Sequence, residues 1–255
     1  LLSYIMNFQK SVVKWKRSFR KRYSKRNPVF YYKKKLIDKK NPLIFDVGAH
    51  IGRTAIEYLK DFPKANIHCF EPHSESFEIL NDRFCDLTNL HCNRLALSNE
   101  KGSRLLNCNK FSDTNSFLNF SDEANQIWEK EDLFINLSKS EVSCSTIDLY
   151  CEDNEIGAID ILKLDCQGYE KQILEGCTRM LSSEKISLIF TEVSFRQVYK
   201  NQTQFHEICS LLEQYNFEVF NFYDNVVKSA QLIQADALFI NQNFKSRSST
   251  IQYLI

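Results

Sequence analysis

The 255-residue sequence predicts an α/β fold with a doubly wound, mainly parallel sheet. Three observations carry that prediction. Leu43-Ile44-Phe45 is a short apolar run that follows Pro42 and breaks at Asp46-Val47-Gly48, as a buried strand does. Beyond Gly52, the residues Ile51, Ala55, Leu59 and Phe62 keep the spacing of one helix face. The same alternation of apolar run and helical pattern then repeats to residue 240.

The elements follow in order. Leu1, Ile5, Phe8, Val12, Trp15, Phe19 and Tyr23 form one helical stripe, with Lys10, Lys14, Lys16, Arg17, Arg20, Lys21 and Arg22 mostly on the other faces. Residues 1–40 thus read as a basic amphipathic helical arm and connector, broken at Asn27-Pro28. Such a helix either packs its stripe on the domain or lies in an anionic membrane surface through residues 1–26. Nucleic acid is disfavoured, because no binding module accompanies the charge. Residues 41–241 form the main domain. After the strand ending at Gly48 and its helix, Asn66–Phe70 reads as a second strand, stopped by Pro72. Ser74 is a candidate N-cap for a helix marked by Phe77, Leu80, Phe84 and Leu87. A third strand near Leu90–Asn93 leads into Arg94–Asn99, and Ser103–Cys108 reads as an extra extended piece.

Residues 109–141 break the rhythm, with Ser, Asp and Asn interspersed by Phe111, Phe117, Phe120, Trp128 and Phe134. A connection of that length suggests a cap over a site, with Asn115-Ser116 pointing inward, or a peripheral packing insert. Ser145–Tyr150 starts a helix, Ile159–Leu164 is the most apolar strand, and it ends at Asp165. One helix face is expected from Ile173, Leu174, Cys177 and Leu181. Ser187–Thr191 is a strand ending in Glu192. A helix bearing Phe205, Ile208, Leu212 and Tyr215 and strands Phe217–Phe222 and Ala235–Ile240 complete the domain, leaving 242–255 as a tail.

The turn residues point to a ligand. Gly48 and Gly52 remove side chains where the backbone bends, and the following helix N-terminus offers free N–H groups. Glu71 lies roughly 20 residues beyond, where a Rossmann-type unit keeps the acid that binds a ribose. Together these predict a nucleoside. The segment reads D-x-G-x-x-x-G, not G-x-G-x-x-G, which disfavours an NAD-dependent oxidoreductase. The Asp46 carboxylate suits a ligand carrying an ammonium and a sulfonium better than a pyrophosphate.

Asp46–Gly52, Phe70-Glu71-Pro72, Ala96-Leu97-Ser98-Asn99, Asn115-Ser116 and Ile159–Gly168 occur in that order, and over roughly residues 43–240 the chain resembles the FkbM-type S-adenosylmethionine-dependent methyltransferases. Two positions depart from that family's usual residues: His50 stands for Asn and Gln167 for Glu. The resemblance implies a Rossmann-like, seven-stranded class I methyltransferase sheet in the order 3-2-1-4-5-7-6 with an antiparallel last strand. It also implies S-adenosyl-L-methionine as cofactor and a hydroxyl oxygen of a sugar, glycan or secondary metabolite as methyl acceptor.

In that architecture the cofactor contacts fall to Asp46, Gly48, His50, Gly52, Glu71, Asn93, Ala96 and Asp165, with Asn93–Leu97 beside the adenine. Asp165 is the first candidate base and His50 the second, ahead of His73 and Glu192. Asn115, Ser116 and Glu192 are the acceptor-contact candidates. Asp165 with Glu192 would need a third ligand to hold a divalent cation, so no metal is expected. His68 and His91 lie within strands and read as structural. The other rival is a non-catalytic, membrane-associated binding module on this fold.

Composition narrows the setting. Nine scattered cysteines without a C-x-x-C pair read as reduced thiols, which fits the cytoplasm. No signal peptide is visible and no apolar run is long enough to span a membrane. The net charge of +1 hides segregation: residues 1–40 hold 14 Lys/Arg and one acid, leaving 19 bases and 31 acids to the remainder. A peripheral position at the inner membrane face would suit that arm.

Overall fold

The computed structural model describes residues 33–128 and 134–247. The amphipathic stripe and the expected anionic membrane contact of residues 1–26 lie outside them. Seven strands form one sheet: β1 (Leu43–Val47), β2 (Asn66–Phe70), β3 (Leu90–Asn93), β7 (Ile159–Leu164), β8 (Ile186–Ser194), β9 (Phe217–Lys228) and β10 (Gln231–Asn241). Their order is β3-β2-β1-β7-β8-β10-β9, and β10 runs antiparallel to both neighbours. Renumbered within this sheet alone, that is 3-2-1-4-5-7-6.

Both faces are covered. Phe45, Val47, Phe70, Leu162 and Leu164 pack on one side; Ile44, Ile67, Ile161, Leu188 and Leu238 pack on the other. Complete burial of each such side chain contributes on the order of 1.5–3 kcal/mol, and two-sided burial explains why these strands read as continuous apolar runs. Helix α1 (Arg53–Asp61) buries Ala55 and Tyr58, and α2 (Ser74–Phe84) buries Leu80 and Phe84. His73, not Ser74, occupies the N-cap of α2. No helix among the described residues is long and apolar enough to cross a membrane. All nine cysteines are free thiols.

A smaller sheet stands beside the first, in the order β4-β6-β5 (β4, Ala96–Leu97; β5, Gly102–Asn109; β6, Asn136–Ser145). The last residues of the 109–141 stretch, from Asn136 on, open β6, a ten-residue strand that continues to Ser145 antiparallel to β5. Between them lie a 3-10 turn at Ser112–Thr114 and helix α3 (Ala124–Trp128). Helix α4 (Ile147–Asp153) starts at Thr146, whose hydroxyl accepts from the Leu149 N–H at 3.0 Å.

The single helix expected after Asp165 is two, α5 (Glu170–Glu175) and α6 (Thr178–Ser182), divided at Gly176. A Cβ on Gly176 would lie 2.0 Å from the Ser98 carbonyl oxygen, so the break lets two backbones meet. Helix α7 (Phe205–Glu213) carries a capping box between Gln204 and Glu207. Strands β9 and β10 are longer than read, and their two-residue turn, Ser229-Ala230, has positive φ at both positions. The expected tail begins with helix α8 (Gln242–Arg247).

Candidate active site

Register builds the site. Val47 is level with Phe70 on one side and with Leu164 on the other. The next residue of each strand, Gly48, Glu71 and Asp165, therefore emerges at one rim, where ligands bind in doubly wound sheets. Gly48 and Ala49 both donate their N–H groups to the Phe70 carbonyl at 3.0 Å, turning the chain sharply. Gly48 has φ +72°, and a Cβ there would lie 2.0 Å from the Asp165 carbonyl oxygen. Glycine alone fits.

Above this rim lies a cleft with about 970 Å³ of empty space, open solvent included. Its floor is Gly48, Ala49 and Glu71; its far side is Asp165, Cys166 and Gln167; Leu95, Ala96, Leu97 and Phe117 form an apolar flank. Ser112, Asp113, Asn115 and Ser116 cover it from the insert, and Arg53 and Thr54 reach it from α1.

Glu71 joins the two turns. One carboxylate oxygen accepts from the His50 N–H at 2.8 Å and the other from the His73 N–H at 2.9 Å. Each oxygen keeps a lone pair for a further donor. Burial pushes this carboxyl up to about 7, against the pull of those two backbone bonds.

Asp165 is the open carboxylate of the rim, its side chain 43 % exposed. The Gln167 amide donates to one of its oxygens at 2.9 Å, and Lys163 Nζ lies 3.8 Å from the other. His50, at φ +50°, places Nε2 2.8 Å from the Ser112 hydroxyl, so the glycine turn and the insert touch across the mouth. Burial holds the His50 imidazole below its ordinary value. Ser116 donates its hydroxyl to the Gln167 carbonyl at 2.8 Å. Asn115 accepts from the Asn109 N–H at 2.7 Å, while its amide nitrogen is buried with no protein acceptor.

Four expected contacts, Asp46, Gly52, Asn93 and Glu192, are absent from the cleft wall. Asp46 is fully buried on the opposite face of the sheet, ion-paired with Lys163 at 2.8 Å, because the strand alternation that points Val47 toward the cleft points Asp46 away. Asn93 spends its amide on the Cys69 and His91 carbonyls and the Tyr150 hydroxyl. Glu192 lies beyond the wall, bonded to the Gln234 amide, with its carboxyl raised well above the usual range by burial and then by the Asp165 charge. His73 bonds Ser76 at 3.1 Å. Gly52, with φ +80°, packs against Phe84 and Leu80 and serves the helix start. His68 stacks on His91 and bonds Tyr150, as structural histidines would.

Lys163, Tyr169 and Tyr199 were missed. Lys163 also donates to the Val47 and Gly48 carbonyls at 3.3 and 3.0 Å, bracing the glycine turn from beneath. It was detectable in principle: Asp46 and Lys163 are opposite charges within two apolar strands, and they are register partners. Among the described residues no three His, Cys, Asp or Glu side chains gather as a metal site.

A rim of glycine turn, ribose-distance acid and open aspartate at the strand-order reversal is that of a class I methyltransferase. Residues 46–219 match the model of the methyltransferase FkbM domain, and the chain belongs to that family. It is an S-adenosylmethionine-dependent methyltransferase, which removes the oxidoreductase alternative. The 2-O-methyltransferase NoeI of Sinorhizobium fredii (strain NBRC 101917 / NGR234) is 25% identical over 185 residues, covering 69% of this chain and 73% of NoeI. Methyltransferase sdnD of Sordaria araneosa is 28% identical over 160 residues, covering 53% and 60%. The crystal structure of methyltransferase FkbM from Methylobacillus flagellatus KT superposes with a TM-score of 0.50 at 12% identity, over 79% of this chain and 44% of that one. This chain thus spans less than half of that protein's length.

The site fits the cofactor. Lone pairs remain on Glu71, Gly48 and Ala49 line the cleft beside it, and Leu95, Leu97 and Phe117 give an apolar flank suited to a base.

Proposed function

We propose that this protein methylates a hydroxyl oxygen on a sugar, glycan or other polyhydroxylated metabolite, with Asp165 as the general base. One observation carries the reading: Asp165 is a partly exposed carboxylate in the same cleft as Glu71, at the strand end on the other side of Gly48. Glu71 would accept from the ribose hydroxyls, charge-assisted bonds of fixed direction. Gly48 and Ala49 would lie against the cofactor chain, and Leu95–Leu97 with Phe117 would enclose the adenine. Bound there, S-adenosylmethionine supplies a sulfonium-activated methyl group.

The protein's remaining tasks are to hold the acceptor in line and to take its proton. Asp165 takes that proton. His50, its imidazole held below the ordinary value by burial, meets Ser112, so it serves here as the latch between turn and insert. The amide- and hydroxyl-rich cover, Ser112, Asn115 and Ser116, suits a ligand dense in hydroxyls, and the 2-O-methyltransferase name of one relative agrees with an oxygen acceptor.

The test uses S-adenosylmethionine carrying a tritiated methyl group. Methyl glycosides of common hexoses, 6-deoxyhexoses and pentoses are offered beside simple phenols and aliphatic alcohols. Label should enter a glycoside as an acid-stable methyl ether. Incorporation confined to phenols or alcohols would sink the sugar reading, and transfer unchanged in Asp165→Asn would remove Asp165 as base.

A further inference from the structure

We infer that Tyr199 and Gln167 are positioning residues: they aim the Asp165 carboxylate at the acceptor, and the Tyr199 phenol ties that aim to the segment covering the cleft. The inference deepens the assignment of Asp165 and rests on it.

Gln167 follows the end of β7 with φ +53°, its carbonyl held by the Ser116 hydroxyl. Its amide is occupied at both ends. Nε2 donates to Asp165 Oδ1 at 2.9 Å, and Oε1 accepts from the Tyr199 phenol at 2.9 Å. The reverse amide orientation would set its oxygen against a carboxylate oxygen, two acceptors without a proton between them. The order phenol to amide to carboxylate is therefore fixed. It occupies Oδ1 of Asp165 and leaves Oδ2, with only Lys163 Nζ at 3.8 Å, for an incoming proton.

Tyr199 is 2 % exposed, and burial pushes its phenol well above the ordinary range, so it remains a donor. Its oxygen also lies 3.0 Å from the Thr114 carbonyl, in the turn whose Ser112 meets His50. A phenol has one proton, so Thr114 and Gln167 share it. The Tyr199 ring packs on Phe120 with centroids 5.2 Å apart. A shift of the insert is therefore felt at Gln167, and through it at Asp165. The other charged or titratable groups around Asp165 are Lys163 on its own strand, the neighbouring Cys166 thiol, His50 from the glycine turn, Glu170 from α5, Glu192 from β8 and Asp236 from β10.

The experiment labels aspartate carboxyls with 13C and assigns Asp165 by the signal lost in Asp165→Asn. In Gln167→Glu a second carboxyl replaces the amide donor, and two such acids share a proton. The Asp165 signal should then titrate at least about one pH unit higher than in the parent protein. Tyr199→Phe keeps the ring; it should lower kcat for the best methyl glycoside roughly tenfold or more, with KM for S-adenosylmethionine and affinity for S-adenosylhomocysteine unchanged. Should Gln167→Glu fail to fold, Gln167→Met removes the donor without adding charge and should move the signal the same way by less. An Asp165 signal that titrates in these variants as in the parent overturns the inference. If no glycoside is methylated, the acceptor reading fails while the titration still decides the relay.

Discussion

At the scale of single residues, Glu71 is the side chain whose environment says most. It is 7 % exposed, holds two backbone N–H groups and is pushed up to about 7 by burial. A ligand that donates hydroxyls to it favours the ionised form, so affinity for S-adenosylhomocysteine should climb between pH 6 and 8. Glu71→Gln should flatten that dependence. Glu71→Ala leaves the ligand's hydroxyls and two turn N–H groups without acceptors, and calorimetry should read a loss of about 1–3 kcal/mol. The place of Glu71 at the rim was legible in the sequence because its distance from the glycine turn is set by one strand-helix-strand unit. The turn of buried Asp46 away from the cleft was not: strand alternation decides its side, and a strand buried on both faces shows no polar-apolar alternation from which to read it.

At the scale of elements, the insert between β5 and β6 divides into parts with separate tasks. Its first turn, through Ser112 and Asp113, and the following Asn115–Phe117 line the cleft. Helix α3 does not; it packs Ala124 and Ile127 against Val198, Tyr199 and Ile233 in a satellite core. That helix props the segment carrying Tyr199, and through it the lining residues. Replacing residues 121–133 with a Gly-Ser linker should leave S-adenosylhomocysteine affinity within about twofold and reduce methyl transfer at least about a hundredfold, since a misplaced acceptor forfeits the near-attack geometry. Unchanged transfer would make the insert a packing ornament. Strand β6 escaped the sequence reading because Asn-Leu-Ser-Lys-Ser-Glu has no apolar face: most of its first half is exposed, and pairing with β5 carries it. The β9–β10 turn escaped for a related reason, since Ser229-Ala230 lacks the Asn-Gly signal that positive φ usually brings.

At the scale of the whole molecule, the face of the sheet away from the cleft carries buried charge that binds the entry segment to the body. Lys33 is fully buried before β1, donates to the Tyr58 hydroxyl at 3.0 Å and sits 3.4 Å above the Phe190 ring. Burial lowers it to about 7, against the attraction of Asp236. Asp236 on β10 is raised to about 7 by burial, then by the charges of Asp165 and Asp224. Its folded value lies above its ordinary 3.8, so its contribution to stability is complete below about pH 3.8 and disappears as pH rises through about 7. Lys33 runs the other way: its contribution is present above its ordinary 10.5 and is lost as pH falls through about 7. Comparison with neutral variants separates the two from every other titrating group. Asp236→Asn should gain on the parent protein as pH rises from 5 to 8, by on the order of 2 kcal/mol, or several degrees in Tm at about 2–4 °C per kcal/mol. Lys33→Met should gain instead as pH falls from 10 to 7. Thermal melts across that range, read for all three proteins without cofactor, decide it: parallel Tm curves would mean that neither charge changes its protonation on folding.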